Sequence, residues 1–155
     1  MPPISAIVHT RNDALRIGRA LESLRACNEV VVLDHGSEDG TLAIAREHGA
    51  RIVNACEITA ATAARKAAHP WILVVRPNEA VAELLEAELY ELRLQETVSD
   101  PSFALVILEE TKVGWDKRPA ETRLVPRDYP MWEGELPAPD SKSRCLEGFL
   151  LRFSR

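Results

Sequence analysis

Residues 30–41 read VVVLDHGSEDGT and hold the strongest structural signal in the chain. The four apolar residues that open the stretch are typical of a parallel strand covered on both faces. Asp34 ends this run, and Ser37 follows in a turn rich in glycine and oxygen side chains, where it is placed to cap a helix. The stretch therefore predicts a buried strand, a turn carrying a carboxylate, and a helix that ends at Gly49.

The same strand–helix unit recurs on both sides of this stretch. Upstream, Ile4 to Val8 is a β-rich run, and Asn12 or Asp13 is placed to cap the helix that follows it. Downstream, we predict strands at 50–53 and 71–75 and helices at 58–68 and 79–97. Four strands alternating with helices predict right-handed βαβ units. The expected fold class is α/β, with a Rossmann-like, open, mostly parallel sheet and flanking helices.

Residues 98–155 have a less regular pattern than residues 1–97. We predict strands at Phe103 to Leu108 and Thr122 to Val125, with irregular segments around the Pro, Gly and Trp residues between them. The proline-rich stretch 126–139 is predicted to be a long loop, which in a compact domain is usually functional or mobile. We therefore expect one domain over residues 1–155, with an irregular second half.

Composition excludes several classes of protein. With 155 residues, 46% hydrophobic and 28% charged, the chain has the composition of a soluble globular domain. A net charge of −5 gives no bulk attraction to nucleic acid. The apolar run at 71–75 is far shorter than the ~20 residues of a membrane span, and the N-terminus lacks the basic region of a secretory signal. Three cysteines without C-x-x-C spacing indicate reduced thiols, so we expect a cytoplasmic location.

Three loops are expected to meet at one edge of the sheet. Ligands of open parallel sheets bind beyond the carboxyl ends of the strands, where this chain places residues 9–12, 34–37 and 76–79. Asp34 can accept two hydrogen bonds from an imide or from ribose hydroxyls, and a helix N-terminus near Ser37 favours anions. A nucleotide meets both requirements. In the alternative interpretation, these residues only form the turn and cap the helix.

Other nucleotide and metal sites do not fit the sequence. No glycine-rich turn precedes Gly18, which excludes a dinucleotide fold, and no G-x-x-x-x-G-K-[ST] motif is present. A phospho-acceptor domain would place acids where His9 and Asn54 stand. The four histidines show no metal-ligand spacing, and His35 alone falls in the predicted site.

The stretch ISAIVHTRNDALRIGRALESLRACNEVVVLDHGSEDGTLAIAREHGARIV at 4–53 resembles the amino-terminal half of family 2 glycosyltransferases of the GT-A fold. Members begin with a strand, a T-x-N-E motif and a D-x-G-S-x-D-G-T signature. The match covers the chain to about residue 80. It continues more loosely to RLVPR at 123–127, which resembles R-L-F-R-R of the lipopolysaccharide-core and tetratricopeptide-fused subgroup.

The resemblance implies a nucleotide-diphospho-sugar donor, with its base unknown, and an unknown acceptor. It divides the domain into a nucleotide-binding half, 1–97, and a shortened acceptor-side half, 98–155, where Trp115 and Trp132 either line an acceptor groove or anchor loops. By this resemblance, the base and ribose of the donor bind at Thr10, Asn12, Asp34 and Asp39. Ser37 is a further candidate because of its place in the turn.

The loop after the fourth strand departs from the family. Members carry D-A-D-E there, whose acids hold a divalent metal on the donor pyrophosphate; this chain has Arg76, Pro77, Asn78 and Glu79. Mg²⁺ and Mn²⁺ require oxygen ligands, and a cation at the first position repels them. Lys66 likewise replaces the asparagine of the family's A-R-N-x-G segment. We therefore expect a divergent member that uses no metal and no other cofactor.

Three interpretations remain open. In the first, Arg76 stabilises the leaving pyrophosphate in place of the metal. An inverting transfer then also needs a carboxylate base, for which Glu79 is the first candidate and four others remain: Glu109, Glu110, Glu133 and Glu135. In the second, a nucleotide pocket persists without chemistry. In the third, binding is also lost and Arg76 forms a surface ion pair with an acid such as Glu79. A homo-oligomer or a partner protein that supplies missing groups remains open.

Overall fold

The computed structural model describes residues 3–56 and 58–154. Its helices are α1 (Ile17–Glu22), α2 (Thr41–Glu47), α3 (Ala60–Arg65) and α4 (Glu83–Leu94). Its strands are β1 (Ile4–Thr10), β2 (Glu29–Asp34), β3 (Arg51–Asn54), β4 (Trp71–Val75), β5 (Glu79–Val81), β6 (Phe103–Thr111), β7 (Gly114–Pro126), β8 (Trp132–Glu133), β9 (Leu136–Pro137) and β10 (Arg144–Arg152). Eight strands form one sheet in the order β3-β2-β1-β4-β7-β6-β10-β5, and β8 pairs with β9.

The first half of the sheet is parallel, which confirms the predicted α/β class. β1 is buried along its whole length and lies between β2 and β4, while β3 extends the sheet beyond β2. The continuous apolar sequence of β4 and the complete burial of β1 follow from this position, because helices or loops cover both faces. Thr10 pairs with Asp34 in register, so β1 and β2 end side by side.

The second half is more regular than the sequence predicted. β7 spans 13 residues, whereas only Thr122 to Val125 was expected to be a strand, and β10 was not predicted. The amino-terminal part of β7, including Pro119, is exposed and polar, so it lacks the apolar pattern that marks a buried strand. Its partner is β6, with which it forms an antiparallel hairpin. The expected loop at 126–139 contains the small β8–β9 hairpin.

Three predicted helix starts were wrong. Residues 79–81 form β5 instead of helix, because the edge of β10 offers them antiparallel partners at Leu150 to Arg152, and α4 begins only at Glu83. Tertiary pairing overrides helix propensity here. The predicted caps at Asn12, Asp13 and Ser37 are also wrong, since α1 begins at Ile17 and α2 at Thr41. α2 ends at Glu47, two residues before the predicted Gly49, and Gly49 follows the C-cap His48 with the left-handed φ of +73° expected of a helix stop.

Apolar side chains pack on both faces of the sheet. The larger cluster lies under α1, α2 and α4, to which α4 contributes Leu85, Leu89 and Leu92. The smaller one lies under α3 and the segment around Tyr129. α4 sits close to β10 at Gly148, where an added Cβ would lie 2.3 Å from the Leu85 nitrogen.

The structure also bears on the cysteines and on the predicted absence of a membrane span. Cys27, Cys56 and Cys145 are free thiols, as predicted. Among the helices of residues 3–56 and 58–154, none combines the length and the hydrophobicity needed to cross a membrane.

Candidate functional site

The loops that follow β1 and β2 are joined to each other by side-chain hydrogen bonds. Asn12 has a φ of +54°, a left-handed conformation that asparagine tolerates better than most residues. Four bonds span the two loops: Asn12 N to Ser37 Oγ at 3.0 Å, Glu38 N to Asn12 Oδ1 at 2.7 Å, Asp13 N to Thr41 Oγ1 at 2.9 Å, and Ala14 N to Asp39 Oδ2 at 3.2 Å. Three of the predicted site residues, Asn12, Ser37 and Asp39, therefore belong to one connected edge of the sheet.

Thr10 and Asp34 lie next to each other at the ends of β1 and β2. Thr10 is buried, and its hydroxyl donates to Asp13 Oδ2 at 2.7 Å. Asp34 is half-buried, and its two carboxylate oxygens share one donor, the Ser37 N–H, at 3.1 and 3.3 Å. Because a carboxylate offers about four acceptor positions, Asp34 holds the turn and keeps acceptor capacity for a ligand.

Asp39, which is exposed, stabilises the loops after β1 and β2 through hydrogen bonds to its carboxylate. Its carboxylate accepts hydrogen bonds from the Thr41 hydroxyl, from Thr41 N at 2.9 Å and from Ala14 N. The Thr41 hydroxyl is the main cause that lowers the pKa of Asp39. Together with Asn12, Asp39 borders a shallow cleft of about 330 Å³ that Leu15 and Arg16 also line.

A larger cleft of about 530 Å³ lies at the carboxyl ends of β1, β2 and β4. It is lined by His9, Thr10, Arg11, Asp13, Arg16, His35, Arg76, Pro77, Asn78 and Glu135. Of the predicted site residues, Thr10 and Arg76 line this cleft directly. Asp34 sits beneath its rim as the register partner of Thr10.

The cleft carries positive charge that is not neutralised locally. Arg16 is paired with Asp13, but Arg11 and Arg76 are exposed, and neither guanidinium has an ion-pair partner within the described residues. Free guanidinium groups in a concave site favour carboxylate or phosphate ligands, which they bind through paired N–H donors.

Glu79 is buried away from this cleft. Its carboxylate receives two hydrogen bonds from Arg123, at 2.8 and 2.9 Å, and two from Arg152, at 3.1 and 3.0 Å. Burial opposes ionisation of Glu79, but the attraction of Arg123 and the hydrogen bonds to the carboxylate outweigh it and lower its pKa. The structure thus gives Glu79 no access to an acceptor hydroxyl. The ion pair between Arg76 and Glu79 considered above is also not formed; only the backbone N–H of Arg76 reaches this carboxylate, at 2.8 Å.

The loop after β4 offers no ligand set for a hard cation. Arg76 is itself a cation, and the side chain of Pro77 has no atom that can bind a metal. The carboxylate of Glu79 is enclosed by Arg123 and Arg152. Asn78 Nδ2 donates to the Phe153 carbonyl at 3.1 Å, and Phe153 N donates to the Asn78 carbonyl at 2.8 Å. These groups tie the loop to the end of β10, so they do not fit Mg²⁺ or Mn²⁺.

A cluster that the sequence did not predict lies in the cleft. His9 Nδ1 and His35 Nε2 are 3.0 Å apart, and Glu135 Oε1 is 3.9 Å from the first and 3.5 Å from the second. Burial lowers the pKa of His9 to about 4, with the Glu135 carboxylate opposing this and His35 adding to it. The adjacent ends of β1 and β2 are a signal that could have paired the two histidines. Glu135 was predicted only as one of several candidate bases, and it reaches the histidines on the β8–β9 hairpin, which the sequence did not predict.

The remaining candidates lie outside the cleft. Glu109 pairs with Arg118 at 3.5 Å, Glu110 accepts from Ser154, and Glu133 is exposed on β8. Trp115 packs edge-on against Phe153 with ring centroids 5.3 Å apart. Trp132 Nε1 donates to the Tyr129 carbonyl at 2.8 Å. Both tryptophans therefore anchor local structure.

Parts of this chain are similar in sequence to glycosyltransferases. Residues 5–73 match the family model described as Glycosyl transferase family 2. A TPR repeat-containing protein of Synechococcus elongatus is 34% identical over 120 residues, covering 74% of this chain and 29% of the relative. The lipopolysaccharide core biosynthesis glycosyltransferase LpsC of Rhizobium meliloti is 39% identical over 46 residues, covering 30% of this chain and 17% of the relative. The chain thus spans less than a third of the length of either relative.

Solved structures share the fold at low sequence identity. Mannosyl-3-phosphoglycerate synthase from Rubrobacter xylanophilus aligns with a TM-score of 0.52 and 18% identity, over 70% of this chain and 40% of that one. S. aureus TarS 1-349 in complex with UDP-GlcNAc aligns with a TM-score of 0.50 and 21% identity, over 71% and 34%. These likenesses show that the sheet and helices follow the architecture of those enzymes.

Proposed function

The chain is a member of glycosyl transferase family 2 through residues 5–73 and has the GT-A fold, and we propose that its cleft binds a nucleotide-diphospho-sugar donor. One observation carries this proposal. At the carboxyl ends of β1, β2 and β4, two unpaired arginines, Arg11 and Arg76, line a cleft together with Thr10, whose register partner on β2 is Asp34. This arrangement combines acceptors for a ribose with donors for phosphate.

The nucleoside is expected to bind along the joined loops. Asp34 has acceptor capacity for ribose hydroxyls or a base imide, while Asn12 and Ser37 hold the two loops together at 3.0 Å. Asp39 acts indirectly in this proposal, since its carboxylate already accepts from Thr41 and Ala14. Thr10 contributes by fixing Asp13 at the cleft floor.

The diphosphate is expected to lie against Arg76 and Arg11. S. aureus TarS, in complex with UDP-GlcNAc, is one neighbour that holds such a donor. In the present chain, residues 76–79 do not fit Mg²⁺ or Mn²⁺, so we assign charge neutralisation of the pyrophosphate to the guanidinium of Arg76. A charge-assisted hydrogen bond of this kind contributes about 1.5–3 kcal/mol.

A second candidate function is a nucleotide-binding module without transfer activity. The observation that favours it is the burial of Glu79 among arginines, which removes one candidate base. Of the five candidate acids, Glu135 is the one that lines the cleft, and its carboxylate faces His9 and His35. The geometry therefore supports donor binding more directly than proton abstraction from an acceptor.

Donor turnover separates these two functions. Purified protein incubated with UDP-, GDP-, dTDP- and CDP-sugars is assayed for release of the nucleoside diphosphate, and binding of each donor is measured by calorimetry in parallel. Release by the wild type in EDTA, with water as the acceptor of the sugar, supports a metal-independent transferase if Arg76→Ala abolishes it. Binding without release supports the module. The absence of both contradicts the proposed donor site.

A further inference from the structure

Three potential metal ligands from distant parts of the chain converge on one point of the cleft. His9 belongs to β1, His35 follows β2, and Glu135 lies between β8 and β9. One ligand atom from each, His9 Nδ1, His35 Nε2 and Glu135 Oε1, lies within 4.8 Å of the other two. Backbone pairing holds these segments in place, because β1 and β2 are paired along their length and β8 pairs with β9 in a hairpin.

The separations match those of ligands around a tetrahedral metal. Bonds of ~2.0–2.1 Å to zinc place tetrahedral ligand atoms roughly 3.4 Å apart. The observed separations of 3.0, 3.5 and 3.9 Å lie on both sides of that value. Two imidazole nitrogens at 3.0 Å share either one proton, as a hydrogen bond, or one metal ion, since each offers a lone pair in the appropriate tautomer.

The ligand types select the class of metal. Imidazole nitrogen suits zinc, copper, nickel and iron, whereas magnesium and calcium require oxygen ligands. Two histidines and one glutamate also leave a fourth position, as in zinc sites that keep an open coordination position. Here that position faces the cleft, because the side chain of Glu135 is 59% exposed and that of His35 is 33% exposed.

We propose that His9, His35 and Glu135 form a binding site for a divalent transition metal of the zinc class, with an open coordination position toward the cleft. This site is separate from the loop at 76–79, which does not fit Mg²⁺ or Mn²⁺. It does not rest on donor binding, since the three ligands come from the protein alone. Glu135 then acts as a ligand and not as a general base.

Metal titration of the full chain tests the proposal. The background is Cys56→Ser/Cys145→Ser, which removes the two exposed thiols that also bind zinc. After treatment with EDTA and dialysis, calorimetry with Zn²⁺ is expected to show one equivalent per chain, and Co²⁺ is expected to give the visible spectrum of a nitrogen- and oxygen-ligated tetrahedral ion. Mg²⁺ in excess is expected not to compete.

Variants of the more exposed ligands locate the metal. We expect His35→Gln and Glu135→Gln each to weaken Zn²⁺ binding at least ~10-fold, with unchanged far-ultraviolet circular dichroism. His48→Gln is the matched control, because His48 is exposed at the carboxyl end of α2, does not line the cleft and bonds to the Ile44 carbonyl. Absence of saturable binding in the background protein overturns the proposal. Equal affinity in His35→Gln, Glu135→Gln and the background overturns it as well.

Discussion

Glu79 and Arg123 form a two-point ion pair from which solvent is excluded. Both side chains are 0% exposed, and the two N–H···O distances are 2.8 and 2.9 Å. Arg123 also donates to the Val74 carbonyl, and Glu79 accepts from the backbone N–H of Arg76. The pair thus links β4, β5 and β7 next to the loop at 76–79. The carboxylate of Glu79 is therefore engaged in structural ion pairs.

Removing the charge of Glu79 should destabilise the fold strongly. We expect Glu79→Gln to lower the free energy of unfolding by about 3–5 kcal/mol, because the buried Arg123 loses its two-point partner and keeps only the partly exposed Glu121 as a counter-charge. Urea denaturation measures the change. Glu109→Gln is the control, since Glu109 pairs with Arg118 at the surface at 3.5 Å, where such pairs contribute about 0–1 kcal/mol. Similar small losses in both variants would contradict this account.

The same network should make stability depend on pH in the acid range. Burial raises the pKa of Glu79 and Glu121, but the attraction of Arg123 outweighs it and leaves both pKa values lowered. In the unfolded chain, glutamate has a pKa of about 4.3. The stabilisation is therefore complete above that pH and is lost as the pH falls through the lower folded-state pKa values. Urea denaturation between pH 7 and pH 3 should show a steeper decline for the wild type than for Glu121→Gln. Parallel curves would refute the assignment.

Two glycine substitutions should have opposite effects. An added Cβ at Gly148 would lie 2.3 Å from Leu85 N and 2.4 Å from Leu85 Cα, so β10 and α4 would have to separate. We expect Gly148→Ala to cost about 1–3 kcal/mol or more. At Gly18, in α1, the nearest atom is Ile44 Cγ2 at 3.6 Å, an ordinary contact. Gly18→Ala should be neutral or stabilise by up to ~1 kcal/mol. Thermal unfolding compares them, and equal stability of both variants would refute the predicted close approach of α4.

Arg76 should recognise phosphate and not the nucleoside. We expect Arg76→Ala to weaken binding of the preferred nucleoside diphosphate roughly 10- to 100-fold, the equivalent of one charge-assisted contact, and to leave binding of the free nucleoside unchanged. Calorimetry with both ligands measures this difference. Arg65→Ala is the control, because Arg65 is exposed at the end of α3. Equal weakening toward nucleoside and diphosphate would contradict the role given to Arg76.

Local sequence was sufficient for the parallel half of the fold. Continuous apolar runs marked β2 and β4, because strands covered on both faces need no polar alternation, and a short β-rich run marked β1. It failed where pairing partners decide the structure: β5 forms on the edge of β10, and the exposed part of β7 pairs with β6. The site divides in the same way. Thr10, Asp34 and Arg76 followed from strand ends, whereas the burial of Glu79 and the approach of Glu135 to His9 and His35 depend on contacts between segments far apart in the chain.

Nucleotide binding with and without metal shows whether the cleft holds a donor without a divalent cation. UDP, GDP, dTDP and CDP are titrated into the wild type and Asp34→Ala, in EDTA and in Mn²⁺, and the thermal unfolding of each mixture is followed. We expect one nucleotide to stabilise the wild type by about 2.7 kcal/mol at one hundred times its dissociation constant, equally in EDTA and in Mn²⁺, and Asp34→Ala to lose this effect. Stabilisation by none of the four nucleotides, or stabilisation that requires Mn²⁺, would contradict the proposed metal-independent donor site.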